Sequence, residues 1–187
     1  MSDVIIIGGG PAGLSAALFC AKNGLETRIF DTDKTWMHSA HLFNYLGIRS
    51  VSGSEFQTLA KGQVADMGAE FHANDAVEAV EPDDDAFVVA TASSDFTANY
   101  VVLATGANRD LAEDVGCDFD DNGVVSVNLS METSIDDLYA TGAMVREQEW
   151  QAIISAGDGA AAALNILSKE EGEHFHDFDT PDDVREW

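Results

Sequence analysis

The chain has 187 residues and sets 9 Lys+Arg against 34 Asp+Glu, a formal net charge of −25 at pH 7. That length allows one domain or two very small ones, and argues against separate full-size domains for two dinucleotides. With 45% hydrophobic and 23% charged residues the chain can build a core, and its few, scattered Lys and Arg argue against a nucleic-acid or anionic-membrane partner, both of which need clustered cations.

Residues 4–7 (VIII) form a continuous apolar run, the pattern of a strand buried on both faces. A glycine turn follows, then a helical pattern in LSAALFCAKNG with Gly24 as its C-terminal stop, then a strand, ETRIFD, ending in an acid. Residues 32–53 mix aromatics, histidines and glycines without clean periodicity. Residues 54–68 predict a helix with Ser54 as N-cap, an apolar face of Phe56, Leu59, Val64 and Met67, and Gly68 as its end. Strands are expected in 69–82, a solvated turn at Asp83–Asp85, and a hairpin-like pair followed by a strand in 86–106. A short strand region is expected at 125–134, another strand with a glycine turn at 138–142, and a long Ala-rich helix over 150–172. The remaining acidic stretch reads as a loose tail in which Phe175, Phe178 and Trp187 are candidates to pack.

Gly8-Gly9-Gly10-Pro11-Ala12-Gly13 holds a GxGxxG pattern between a buried strand and a helix. In that setting Gly8 permits the tight turn, Gly10 lets a pyrophosphate approach the backbone, and Gly13 allows close helix–strand packing. The pyrophosphate lies on the helix N-terminus, where free N–H groups and the dipole favour anions. Asp31, at the end of the second strand, is placed to accept hydrogen bonds from adenosine ribose hydroxyls. Strand, glycine turn, helix and acid in register make a dinucleotide-binding βαβ unit.

VVLATGA (101–107) ends an apolar strand in Ala104-Thr105-Gly106, and LYATGAM (138–144) ends another in Gly142. With these segments the chain resembles, through most of residues 3–170, the FAD-binding domain of thioredoxin-reductase-like flavoproteins in the pyridine nucleotide-disulfide oxidoreductase superfamily. The resemblance implies FAD as cofactor, NADH or NADPH as electron donor, a separate redox protein as partner, and a homodimer. It implies that Asn44 within FNYLG faces the flavin, that a backbone group of Val77 meets the adenine, and that Trp150-Gln151-Ala152 occupies the place of an Arg-Gln-Ala touching the flavin. His38 and His41 fall in a segment that passes near the flavin in that family.

The departures from the family pattern also matter. ATGANRDLAEDVG leads directly into the region of the third motif, so the inserted nicotinamide domain and its CxxC dithiol are expected to be missing. The Gly-Asp of the third motif stands here as Gly142-Ala143, and Trp150 replaces an Arg. No side chain is named as catalytic. Cys20 and Cys117 form no CxxC; Cys20 reads as a small core residue, Cys117 as a loop thiol with nothing near it to activate it. His174 and His176 form an HxH in the tail, read as solvated rather than as a metal site.

The expected fold is a single α/β Rossmann-like domain over 1–170, with sequence halves of about 1–110 and 111–170, a mainly parallel sheet, helices on both faces and a small inserted antiparallel β element, followed by the tail at 171–187. The expected function is an FAD-dependent oxidoreductase or electron-transfer flavoprotein. A non-catalytic FAD- or nucleotide-binding module, and a module binding NAD or another adenine nucleotide, are the rival readings. The excess of Asp over Lys suits a salty cytoplasm and a halophilic source. The N-terminus has no basic segment before its short apolar run, and no apolar stretch approaches the ~18–20 residues of a membrane span.

Overall fold

Residues 1–180 are described in the computed structural model of the chain. In chain order the elements are β1 (Ser2–Ile7), α1 (Pro11–Lys22), β2 (Thr27–Asp31), β3 (His41–Leu42), β4 (Val51–Ser52), α2 (Gly53–Asp66), β5 (Glu70–Ala73), β6 (Val77–Asp83), β7 (Ala86–Thr91), β8 (Asp95–Leu103), α3 (Asp110–Val115), β9 (Leu138–Ala140) and α4 (Ala152–Glu171). Single 3₁₀ turns lie at Trp36–Ser39 and Gly142–Val145.

β1 is central because both its faces are apolar. Val4 and Ile6 pack on one side of the sheet, Ile5 and Ile7 on the other. It pairs in parallel with β2 and β8; β5 extends the sheet beyond β2, and β9 joins the C-terminal half of β8, again in parallel. The N-terminal half of β8 carries an antiparallel meander through β7 and β6. One face is covered by α1, α2 and α4, through Leu14, Ala17, Val64, Ala163 and Ile166. The other is covered by α3 and the meander, through Ala112, Val80, Phe87 and Val89. Each fully buried Val, Leu, Ile or Phe side chain in these layers contributes about 1.5–3 kcal/mol. The fold is the expected mixed α/β one, and the antiparallel insertion is the β6–β7–β8 meander.

Several local expectations change. The N-cap of α2 is Ser52, whose hydroxyl accepts the Glu55 N–H at 3.2 Å, not Ser54. The helix starts at Gly53 because that residue lies against the 3₁₀ turn: a Cβ there would sit 1.8 Å from the Met37 carbonyl oxygen. This start buries Gly53, Gln57 and Val64; of the expected face Phe56, Val64 and Met67 pack on the core, while Leu59 is 65% exposed. Residues 125–134 form no strand; they make only isolated bridges, Val125 with Phe119 and Glu132 with Tyr139. The short helix α3 was not signalled by periodicity. The segment 32–53 resolves into the 3₁₀ turn and the β3–β4 pair.

The tail is tied down where it is described. Lys22 Nζ holds Asp177 at 2.8 Å and Asp179 at 2.5 Å, and the Phe175 N–H donates to Ser168 Oγ at 3.1 Å. Phe175 is half-buried and Phe178 is exposed, while Trp187 lies outside the described residues. Cys20 is fully buried, which pushes its thiol up to about 12; Cys117 lies in the loop after α3, as expected, but is buried there, and its thiol is raised by that burial. Among the described residues no helix is long and apolar enough to cross a membrane, and no cluster of three or more His, Cys, Asp or Glu could hold a metal.

α1 and α4 pack with their backbones almost touching. A Cβ on Gly159 would lie 2.0 Å from the Ala12 carbonyl oxygen, whereas a Cβ on Gly157 meets nothing within 4 Å. Gly159→Ala should therefore destabilise the protein by about 1–3 kcal/mol despite better helix propensity. Gly157→Ala in the same helix should stabilise it by up to about 1 kcal/mol. Thermal melts of the two variants check this; a stabilised Gly159→Ala would contradict the packing.

Candidate functional site

Three segments meet at the N-terminus of α1. The Gly8 turn, at φ +116°, sits where a Cβ would lie 2.2 Å from the Ala104 carbonyl oxygen, so the first glycine and the end of β8 are in backbone contact. A Cβ on Gly13 would lie 1.9 Å from the Gly8 carbonyl oxygen. Gly142, at φ +75°, packs on Ala12, with Ser155 of α4 beside it. The strands bring Ala104-Thr105-Gly106 and Gly142 together because β8 and β9 are neighbours in register, Leu103 opposite Ala140.

Pro11 occupies the first turn of α1, no side chain caps the helix, and no acid stands in that turn. The Leu14 N–H is bonded to the Gly10 carbonyl at 2.9 Å, so the N-terminal amides before it point to an uncapped, electropositive end. A Cβ on Gly10 would have only Thr35 Oγ1 nearby, at 3.6 Å, so a bound group can reach the backbone there.

Asp31 ends β2 beside this turn and is buried to 8% exposure. Its carboxylate lies on Gly9, where a Cβ would come within 2.3 Å of Cγ and Oδ2. Oδ1 accepts the Asp33 N–H at 2.9 Å, and Oδ2 is paired with Lys61 Nζ at 2.6 Å. Lys61 also holds Asp33 Oδ1 at 2.7 Å, and His38 Nε2 lies 3.0 Å from the same oxygen. Burial pushes the Lys61 ammonium down, but its hydrogen bonds to Asp31 and Asp33 outweigh this and raise it; Lys61 and His38 hold the Asp33 carboxyl below the usual range. Gln57, one turn before Lys61 on α2, is 2% exposed and donates to the Gly9 carbonyl at 2.7 Å. Its Oε1 is buried without a partner. Neither Gln57 nor Lys61 was found in the sequence, although their i, i+4 spacing and the scarcity of lysine were signals.

Asn44 Nδ2 donates to Gln151 Oε1 at 2.8 Å, joining residues remote in sequence. Trp150 is 45% exposed, donates from Nε1 to the Arg146 carbonyl at 3.1 Å, and lies with its ring centroid 5.3 Å from that of Trp36. Ala152 is the first residue of α4. The loop before α4 is pinned by Arg146, which donates to both oxygens of Asp158 at 3.2 and 2.5 Å; the Asp158 carboxylate is buried. Arg109 donates to the carbonyls of Met144 at 3.0 Å and of Ala143 at 3.4 Å. Thr105 Oγ1 donates to the Asn108 carbonyl at 2.6 Å.

Val77 opens β6 just after Asn74, whose N–H donates to the Asp31 carbonyl at 2.8 Å. His38 stands in the Asp31–Lys61 network and also touches Ser54 Oγ at 3.2 Å. His41 pairs with Ser50 Oγ at 2.9 Å and stacks on Phe43 within the β3–β4 segment. His174 and His176 are exposed in the tail, with His176 stacked on Phe178.

The arrangement fits an extended dinucleotide. An acid lies beside an open helix N-terminus, and Asn44–Gln151 and Trp36–Trp150 form a separate polar and aromatic group. The uncapped α1 and the unpartnered Gln57 Oε1 both leave polar groups that a ligand or its ordered water would complete.

Comparison with known proteins agrees with this fold. Residues 40–160 match the family model described as pyridine nucleotide-disulphide oxidoreductase, and residues 3–42 match that of an FAD binding domain. Thioredoxin reductase from Listeria monocytogenes is 34% identical over 111 residues, which are 57% of this chain and 34% of that protein. Ferredoxin--NADP reductase from Lactococcus lactis subsp. cremoris is 27% identical over 127 residues, 64% of this chain and 40% of that protein. The chain thus spans between about a third and two fifths of the length of these curated relatives. Among solved structures, a thioredoxin reductase from Gloeobacter violaceus superposes with a TM-score of 0.85 at 18% identity, covering 96% of this chain and 99% of that one. A ferredoxin-flavin thioredoxin reductase from Clostridium acetobutylicum does so with a TM-score of 0.80 at 20% identity, covering 92% and 99%.

The two glycines beside Asp31 should separate folding from binding. Gly8→Ala places a Cβ against main chain at a positive φ and should leave little folded protein. The three atoms nearest a Gly9 Cβ all belong to the Asp31 side chain, so Gly9→Ala should fold but displace the carboxylate and weaken nucleotide binding at least about tenfold. Circular dichroism and FAD titration of both variants check the distinction.

Proposed function

The chain belongs to the pyridine nucleotide-disulphide oxidoreductase family, and from that premise we propose that it is an FAD-dependent oxidoreductase or electron-transfer flavoprotein whose FAD-binding halves join without the inserted nicotinamide domain and its redox dithiol. The observation that carries this reading is the join between its halves. β8 ends at Leu103 and its parallel neighbour β9 begins at Leu138, with only α3 and isolated bridges between them. The two cysteines, both buried and remote in sequence, form no dithiol pair. Bound FAD supplies the electron-transfer chemistry through its isoalloxazine ring.

The chain's own part is binding and orientation. Gly8 to Gly13 and the α1 N-terminus take the pyrophosphate; Asp31 takes the adenosine ribose, with Val77 beside the adenine. Ala104-Thr105-Gly106 and Gly142 bring the backbone close to the middle of the cofactor. Asn44, Trp150, Gln151 and Ala152 line the flavin end. Ala143 offers no carboxylate there, and its carbonyl is already engaged by Arg109. Each hydrogen bond lost in this way weakens binding by about 1 kcal/mol, which leaves the remaining contacts able to hold FAD. The match of residues 3–42 to an FAD binding domain supports FAD over NAD, and the family match favours turnover over a purely regulatory module. Electrons then come from NADH or NADPH docking from solution or from a separate redox protein, and the chain works as a homodimer.

The visible spectrum in molar KCl, followed by anaerobic addition of NADH or NADPH, tests this reading. Flavin bands that bleach are expected. Bands that persist with both donors would mean a carrier reduced by a partner protein or a structural FAD, and a protein that takes up no FAD would end the flavoprotein reading.

Salt adaptation is part of the same proposal. With a net charge of −25, raising KCl to about 1 M shortens the Debye length to about 3 Å and removes most self-repulsion. The melting temperature should rise steeply between dilute buffer and molar KCl. Full stability in salt-free buffer would contradict a halophilic origin.

A further inference from the structure

We propose that Lys61 is a positioning residue of the nucleotide site: its ammonium fixes the Asp31 carboxylate in the orientation that accepts both hydroxyls of an adenosine ribose. This rests on the nucleotide-site reading above. A carboxylate offers about four lone-pair directions. In Asp31 one on Oδ1 is taken by the Asp33 N–H at 2.9 Å, and the Lys61 ammonium is ion-paired with Oδ2 at 2.6 Å. The two oxygens together keep acceptor capacity for the two O–H donors of a vicinal diol.

Without a second tether the carboxyl torsion is broad and two-fold. The Asp33 amide holds one oxygen only. Gly9 closes one side of the group, where a Cβ would lie 2.3 Å from Cγ, but does not fix its rotation. Lys61 supplies the missing constraint. It is itself held from the far side by Asp33 Oδ1 at 2.7 Å, which His38 supports at 3.0 Å. The backbone of Asp33 is left-handed, at φ +55°, so this turn aims the second acid back at the lysine. Lys61 also separates two carboxylates that would otherwise repel each other. It reaches them from α2, one turn after Gln57, which grips the Gly9 carbonyl at 2.7 Å. The helix α2 thus braces both the glycine turn and the acid that together face the ribose.

The test is a double-mutant cycle on the full chain in molar KCl. FAD and AMP dissociation constants are measured for the native protein, Lys61→Met, Asp31→Asn and the double variant, with Lys61→Gln and Lys61→Arg alongside. Thermal midpoints of the ligand-free proteins serve as the folding control. Lys61→Met and Lys61→Gln should weaken FAD and AMP about tenfold, the loss of one charge-assisted tether, and Lys61→Arg should recover most of it. On Asp31→Asn the lysine substitution should add almost nothing. With 2′,3′-dideoxy-AMP, which lacks the diol, Lys61→Met should have almost no effect.

Additive losses, or an equal loss with the dideoxy ligand, would mean that Lys61 acts as a general charge and would overturn the proposal. Unchanged affinity in Lys61→Met would do the same. Native protein that binds AMP but not FAD would end the flavin reading while the AMP cycle still decides the role of Lys61. Native protein that binds neither would overturn both.

Discussion

The structure depends on main chain meeting main chain at three glycines. Gly8 lies on the Ala104 carbonyl, Gly13 on the Gly8 carbonyl, and Gly159 on the Ala12 carbonyl, each so close that a methyl group would stand 1.9 to 2.2 Å from an oxygen atom. These contacts set how near α1 comes to the sheet and to α4. They place the open N-terminus of α1 between the ends of β8 and β9. An anion site at a helix terminus needs the backbone exposed and no side chain in the way, and the glycines provide both conditions while they dictate the packing.

Charge is distributed in keeping with this. The chain has 9 Lys+Arg, and several of those cations stand at joints. Lys61 braces the ribose-side acid, Arg146 pins the loop before α4 to Asp158, and Arg109 gathers the carbonyls after β9. Lys22 clamps the tail to α1, and Lys169 joins Glu132 and Asp137. Exposed ion pairs contribute little, about 0–1 kcal/mol each. The Arg146–Asp158 pair is of another kind, because Asp158 is buried and would stand uncompensated without its partner. In so acidic a chain, cations at these joints also keep neighbouring acids from forcing the segments apart.

The places where sequence reading fell short share one cause. Ser54 and Ser52 are both good caps, and the choice between them was made by Gly53 lying against Met37, a contact between segments. The apolar face expected of α2 holds at Phe56, Val64 and Met67 and misses at Leu59, because α2 turns the polar Gln57 inward instead. Residues 125–134 have strand composition but find no open edge beyond single bridges. The tail looked unattached because Lys22, its anchor, stands 155 residues away.

By itself the sequence determined the βαβ opening, the parallel core, the meander, the long closing helix and the nucleotide motif. These rest on local signals: a buried apolar run, glycines at fixed spacing, and an acid at a strand end. It also carried the family resemblance, because Asn44, Thr105, Gly142 and Gln151 stand in recognisable motifs. Only the tertiary structure brought Asn44 onto Gln151 and Lys61 and Gln57 onto the glycine turn. Those pairings cross from one element to another, and their geometry comes from how α2 and α4 dock on the sheet. No periodicity along the chain encodes that docking, since the glycine contacts and the buried faces fix it only once the layers are packed.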